Sequence, residues 1–392
     1  MTFPGFRRPD GQVGVRNHVL VIPTVVCANQ TACAIAEGLP AVALPHVYGC
    51  AFDSRENVGL ERVLAALGCN PNVAAVLVVS LGCETASMDA VVGGIARSNK
   101  PVEGLRIQDA GTPRTIARGR EIVERFLQHA RTLPREECPL SDLVLAVECG
   151  ASDAFSGLSA NPAVGAAADL LVAAGGTVIL SETTEIVGAE HLLARRAVDE
   201  ETRRRLLTVV ARTEGQLRGI EEFAGGVYIT PGNIAGGLTT LEEKSLGCIH
   251  KGGTTPVVEV VGYGERPTRR GLVVMDTPGH DIMSMVGKVA GGAQVICFTT
   301  GRGTPTGNPI APVIKVCSNS QTAQRMADNI DIDAGTILTG EESISAVGRR
   351  VFQKVVSVAG GEQTRAEVLG HAEFAIGTHA SAAAGQIGTC CA

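Results

Sequence analysis

Short apolar stretches rich in Val, Ile, Leu and Ala recur along the chain, alternating with longer segments whose apolar residues return every third or fourth position. The short runs predict strands at 19–26, 41–45, 74–80 and 105–108, with helices at 31–37, 59–67 and 115–132 between them. A second series predicts strands at 143–147, 177–180, 257–261, 272–275, 295–299 and 313–316, with helices at 163–174, 189–198, 200–225 and 343–358. Alternation of strand and helix is the pattern of an α/β protein, and the expected architecture is two lobes with mostly parallel sheets flanked by helices. The segment LPREECPLS, 133–141, combines two prolines with charge and predicts a linker. The first lobe is therefore expected over 1–135 and the second over 142–380, while the aperiodic 381–392 reads as a surface tail.

Length agrees with two lobes, since 392 residues exceed what one ordinary core holds. Apolar residues make up 45% of the chain and aromatic ones only 3%, so the cores must be built from closely packed aliphatic side chains. A net charge of −6 without any Lys/Arg-rich run argues against nucleic acid as a partner. The N-terminus carries Pro4, Arg7, Arg8 and Asp10 where a secretory signal needs an apolar core, and runs such as 19–26 are too short to span a bilayer. The expectation is a cytoplasmic protein without a membrane partner. In that compartment the 12 cysteines are not a disulfide framework, which leaves metal binding, catalysis or burial.

Four cysteines directly follow apolar strand runs: Cys27, Cys50, Cys83 and Cys149. Parallel strands end on one edge, so these thiols can approach a common crevice, with His46, Glu84 and Glu148 close by in sequence. Thiolate with imidazole is a ligand set for a borderline or soft metal. The opposing reading is that cysteine is a small buried hydrophobe. That reading covers Cys33, Cys69, Cys138, Cys297, Cys317, Cys390 and Cys391, whereas strand-end placement beside glycine-rich turns favours metal for Cys50, Cys83 and Cys149.

Further chemistry lies in loops. In GGLTTLEEKSLG, 236–247, Lys244 is a base if enclosure lowers its pKa, and Glu243 can orient it; a capped helix start with solvated charges explains the same residues. Asp276 and Asp281 bracket a Pro-Gly turn containing His280, suited to metal or substrate binding or simply to turn stabilisation. The run GRGTPTG, 301–307, can hold an anion on its N–H groups with Arg302 pairing a carboxylate. Pro305 and Pro309 oppose the helix that a dinucleotide site must open, and no GxSxG, P-loop or HExxH motif occurs.

The ordered motifs GVRN, HVYGC, LGCE, ECGASDAFSG, NPAVG, SETTE, GAEHLL, PGN, GGLTTLEEKSLG, DTPGHD, GRGTPTG and DIDAG cover most of the chain, from 14 to 335. Through them the sequence resembles the large domain of the altronate and galactarate dehydratase family. The resemblance implies β-elimination of water from a sugar acid with a divalent metal, usually iron; related two-subunit enzymes expel sulfite from sulfolactate. Full-length sugar-acid dehydratases carry a small β-rich domain ahead of this region, so the resemblance is to the large subunit of a split enzyme, with a separate small subunit and a homo-oligomeric assembly expected. Cys27, Cys50, Cys83, Cys149, His46, Glu84, Asn17, Glu243, Lys244 and Asp281 match family motifs, while Cys248 and His280 depart from them.

Elimination from a 2-hydroxy acid removes a weakly acidic proton beside a carboxylate and expels a group from the β-carbon. The expected assignment gives Fe2+ or Mn2+ to His46, Cys50, Cys83 and Cys149, with an iron–sulfur cluster as the alternative. Proton abstraction falls to Lys244, orientation or leaving-group protonation to Glu243 with Asp281 beside them, and substrate binding to Arg16, Asn17, Asn233 and Arg302. The competing expectation from another class is a non-catalytic subunit that binds a sugar acid.

Overall fold

The structure, a computed structural model, describes residues 1–50, 54–224 and 229–377, so the expected tail at 381–392, with Cys390 and Cys391, lies outside the described residues. The chain opens with strands β1 (Thr2–Arg7) and β2 (Val13–Gly14), then lays down β3 (His18–Pro23), β4 (Val42–Ala43), β5 (Val73–Ser80) and β6 (Val102–Arg106). After β7 (Glu136–Pro139) come β8 (Val144–Gly150), β9 (Thr177–Leu180), β10 (Val257–Val261), β11 (Leu272–Met275), β12 (Val295–Thr300), β13 (Val313–Cys317) and β14 (Ile332–Asp333).

Strands β4-β3-β5-β6 form a parallel four-stranded sheet, and β10-β11-β9-β8-β12-β13-β14 a parallel seven-stranded one. Both are the near-continuous apolar strands of sheets covered on two faces: every residue of β5, β9, β11, β12 and β13 is buried. Each sheet also reverses its winding once. In the first, β4 and β5 flank β3; in the second, β9 and β12 flank β8. Ligands of open α/β sheets bind beyond the carboxyl ends of the strands at such reversals.

The expected linker is not one. Glu136–Pro139 pairs antiparallel with Thr2–Gly5, and Cys138 and Phe3 are both fully buried. Phe3, Val13 and Val15 join the core built by β8, β9 and the helix Ile344–Ala359, so the first residues of the chain belong physically to the second lobe. A short polar strand whose partner lies far away in sequence leaves no local apolar signature to read. A second core runs across both sheets, uniting Leu20, Ile22, Val76 and Val78 with Ile179, Val273, Ile296 and Phe298. Among the described residues no helix is long and apolar enough to cross a membrane.

Candidate active site

At the winding reversal of the larger sheet, β8 ends in Glu148 and Cys149, both buried. β9 runs into a turn holding Glu182 and Glu185, and the helix Leu241–Cys248 with the following turn brings Lys244, Cys248 and Lys251 over the strand ends. Backbone strain marks this edge: Ala151 and Glu182 take left-handed conformations, at φ 49° and 60°, which residues with a Cβ rarely adopt. Thr277 Oγ1 accepts from the Glu182 N–H at 2.9 Å, and Asp276 accepts from Thr183 at 2.8 Å while pairing with Arg212, which fixes the turn. Asp276 therefore stabilises the loop.

Glu185 is the hub. Its Oε2 accepts from Lys251 Nζ at 2.6 Å and from Cys149 Sγ at 2.9 Å, while Oε1 pairs with Lys244 Nζ at 3.0 Å. Burial opposes its charge, but the two ammonium groups outweigh burial and hold the carboxyl far below its usual range. Burial and the neighbouring Cys248, 3.4 Å away, push the Cys149 thiol up, so it sits as a neutral donor. Burial likewise disfavours charge on Lys251, yet its anionic surroundings reverse that, and with Cys149 a neutral thiol it is the Glu185 carboxylate at 2.6 Å that keeps it an ammonium. Alongside, Lys288 Nζ donates to Glu148 Oε2 at 2.6 Å in a pair without solvent exposure.

Four carboxyl groups, of Glu148, Glu182, Glu185 and Asp281, thus face three lysines, 244, 251 and 288. The surplus is absorbed by protonation. Burial and the charges of Glu148 and Glu185 raise both Glu182, well above its ordinary range, and Asp281, to about 7. Asp281 starts its helix beside β8, where a Cβ on Gly150 would collide with its carboxylate; only glycine admits that approach. A cleft of 350 Å³ meets this cluster at Lys244 and Cys248 and is lined further by Asn161, Glu243 and His250 among others.

Other expected residues are placed differently. Lys244 lines the cleft, but Glu185 raises its pKa, so it rests as an ammonium and not as a base. The exposed Glu243 accepts from the N–H and hydroxyl of Thr239 at 2.8 and 2.5 Å, next to the Thr240 N-cap, which is the helix-capping arrangement. All five N–H groups of Arg16 are engaged, by Glu367 and by the carbonyls of Val15, Val358 and Glu362, leaving none for a substrate anion. Asn17 bridges Arg8 and the Ala130 carbonyl, and Asn233 bridges Thr230 and the Ser152 carbonyl. Arg302 donates to the Gly232 carbonyl, and in its loop the N–H groups of residues 302, 303 and 307 bond Ala151, Thr300 and Glu373.

The expected metal quartet is divided between the sheets. Cys149 belongs to the buried cluster, whereas His46, Cys50 and Cys83 lie at the edge of the smaller sheet. His46 cannot ligate as placed: Nε2 meets the Pro23 carbonyl at 2.8 Å and Nδ1 accepts from the Tyr48 N–H at 3.2 Å. Sequence reasoning gave no role to Lys251, Lys288, Glu182 or Glu185, and set Cys248 aside. One signal was available: in DIMSMVGKVA, Lys288 shares a helical face with Asp281 and Met285, a charge where the core should be.

Residues 140–382 match the profile of the D-galactarate/altronate dehydratase C-terminal region, and residues 5–131 that of the D-galactarate dehydratase/altronate hydrolase second domain. The chain is 40% identical over 383 residues to (2R)-sulfolactate sulfo-lyase subunit beta of Chromohalobacter salexigens, covering 96% of this chain and 97% of that one. It is 39% identical to galactarate dehydratase (L-threo-forming) of Escherichia coli, over 92% of this chain and 73% of the relative. Altronate dehydratase of Bacillus subtilis is 33% identical, over 96% of this chain and 77% of the relative.

Proposed function

The chain belongs to the D-galactarate/altronate dehydratase family of lyases, and from that premise we propose that it catalyses elimination from a small 2-hydroxy acid at the carboxyl edge of the seven-stranded sheet. The observation that carries this is the chain of contacts from Lys244, on the cleft wall, through Glu185 to Lys251 and Cys149 beneath it. Removing the proton beside a carboxylate builds negative charge on the substrate's oxygens. Lys244, held charged by Glu185, places a cation where that charge develops. Asp281, set against Gly150 at the end of β8 and raised to about 7 by burial and the charges of Glu148 and Glu185, is assigned the proton transfer. Glu185, Lys251 and Cys149 are positioning residues, fixing the charge state and direction of Lys244.

The site also suits the divalent metal of the family reading. Ligand atoms of Glu148, Glu182 and Glu185 lie within 4.8 Å of one another, and Glu182 Oε2 is buried without a hydrogen-bond partner. Three hard oxygen donors fit Fe2+ or Mn2+. A second convergent group, Cys149, Glu185 and Cys248, shares Glu185 with the first but offers two sulfur donors in place of oxygen, a softer set than Mn2+ prefers; at either group a metal would compete with the lysines that already pair with the carboxylates. When bound, the metal would act as a Lewis acid toward the developing oxyanion.

Mutual coverage of 96% and 97% with a named subunit supports a partner subunit and a sulfolactate-type reaction, while the dehydratases support a sugar acid. The test is turnover of (2R)-sulfolactate, galactarate and altronate by this chain, alone and with the product of a neighbouring gene, reading sulfite and 2-keto acid. Formation of either product fits the proposal. Ligand binding without turnover under every combination overturns it in favour of a binding subunit.

A further inference from the structure

Cys27, Cys50 and Cys83 are the exposed members of the ten described cysteines. Burial, the ordinary explanation for a free cysteine, therefore does not apply to them. They lie on the segments following β3, β4 and β5, which are adjacent strands, so all three sit at the carboxyl edge where the smaller sheet reverses its winding.

Those segments are tied together. Glu84, next to Cys83, accepts from Thr24 Oγ1 and Ser80 Oγ, both at 2.5 Å, and from the Gly82 N–H at 2.6 Å, which joins the β3 and β5 loops. Val26, next to Cys27, donates its N–H to the Tyr48 carbonyl at 2.9 Å. Gly49, next to Cys50, accepts from the N–H groups of Thr85 and Ala86 at 3.1 Å, and at φ 117° it lies against Thr24 and Val25 where any Cβ would clash. Arg106 packs against the Gly82 turn and brings positive charge to the same rim. Three loops are thus held in fixed relation, each presenting a thiol to solvent.

We propose that Cys27, Cys50 and Cys83 bind an iron–sulfur cluster, as a metal centre separate from the carboxylate cluster of the larger sheet. As placed, the three thiols do not converge on a single ion. With metal–sulfur bonds of about 2.3 Å, its thiolate ligands lie at most about 4.6 Å apart. The three thiols are not among the described groups whose ligand atoms fall within 4.8 Å of one another. A cluster distributes its thiolates over several irons and spans the wider spacing. Each thiol gives up its proton on forming an Fe–S bond, and three protein ligands leave one iron of a four-iron cluster open to an outside oxygen ligand.

The inference does not rest on the lyase reading, and its test reads metal and sulfide, not turnover. The whole chain is purified anaerobically and reconstituted with sulfide and equal parts ferrous and ferric iron, so that electrons balance without added oxidant. The expected result is broad visible absorbance bleached by dithionite, with about four irons and four acid-labile sulfides per chain. The triple variant Cys27→Ala, Cys50→Ala, Cys83→Ala should lose absorbance and labile sulfide while keeping its circular dichroism spectrum, and Cys149→Ser and Cys297→Ala should keep both. Iron bound without labile sulfide, or labile sulfide retained by the triple variant, overturns the proposal.

Discussion

Lys251 Nζ lies 2.8 Å from Cys149 Sγ, with the lysine at 0% and the cysteine at 1% exposure. An ammonium so deeply placed is tolerated because Glu185 shares it, and removing it leaves a buried carboxylate dependent on Lys244 alone. Lys251→Met should lower unfolding free energy by about 3–5 kcal/mol in urea titrations. A variant as stable as the parent would show that Glu185 is not charged in the folded protein.

Lys244 and Glu243 are neighbours with different expected consequences. Lys244→Met should reduce kcat/KM by about 10²–10⁴-fold, as loss of a cation facing the developing charge, with a smaller loss of stability than Lys251→Met because the buried Lys251 still pairs with Glu185. Glu243→Gln should leave kcat/KM within a few-fold, because the glutamine oxygen can still accept from Thr239. Steady-state kinetics on both, with the substrate identified by the turnover assay, separates the helix cap from the catalytic group.

Glu182→Gln tests the metal assignment. Replacing an outer partner of a metal ligand typically costs 10–100-fold in affinity, so removing one of three carboxylates should weaken Fe2+ or Mn2+ binding by about 100-fold or more. Equilibrium dialysis of the chelator-stripped protein measures it. Unchanged affinity would move the metal elsewhere.

Arg16 joins residues far apart in the chain, pairing bidentately with Glu367 at 2.7 and 2.9 Å. Arg16→Ala should destabilise the fold by about 3 kcal/mol and leave KM unaltered in the molecules that remain folded. The pH dependence has a definite sign. Burial pushes Glu367 up, but its bonds to Arg16 outweigh that and set its pKa below the usual glutamate value. The folded pKa is depressed, so the stabilisation is present above the ordinary carboxylate range and disappears as pH falls through the folded value. The gap between parent and variant should therefore narrow below about pH 4 in thermal melts.

Much of the fold is legible in the sequence because parallel strands covered on both faces leave unbroken apolar runs. The runs expected at 257–261 and 272–275 coincide with β10 and β11. What a run does not say is which sheet it joins. Cys83 follows one strong strand and Cys149 stands at the end of another, yet β5 and β8 belong to different sheets, so one inferred site is two places. His46 looked like a ligand because chain distance cannot show that both ring nitrogens face backbone partners. Lys251 was invisible for the opposite reason: in CIHKGG nothing local announces a lysine with no exposure, since the groups that stabilise it come from β8 and the turn after β9.

The core that unites Leu20 and Val76 with Ile179 and Phe298 bears on how the molecule comes apart. Opening one sheet away from the other would expose aliphatic surface on both sides of that core, at roughly 25 cal/mol per Å². The two sheets should accordingly melt as one cooperative unit, with the calorimetric enthalpy equal to the van't Hoff enthalpy. Access to the cleft then depends on loop motion, because a rigid-body swing about a hinge would have to begin by dismantling the interior.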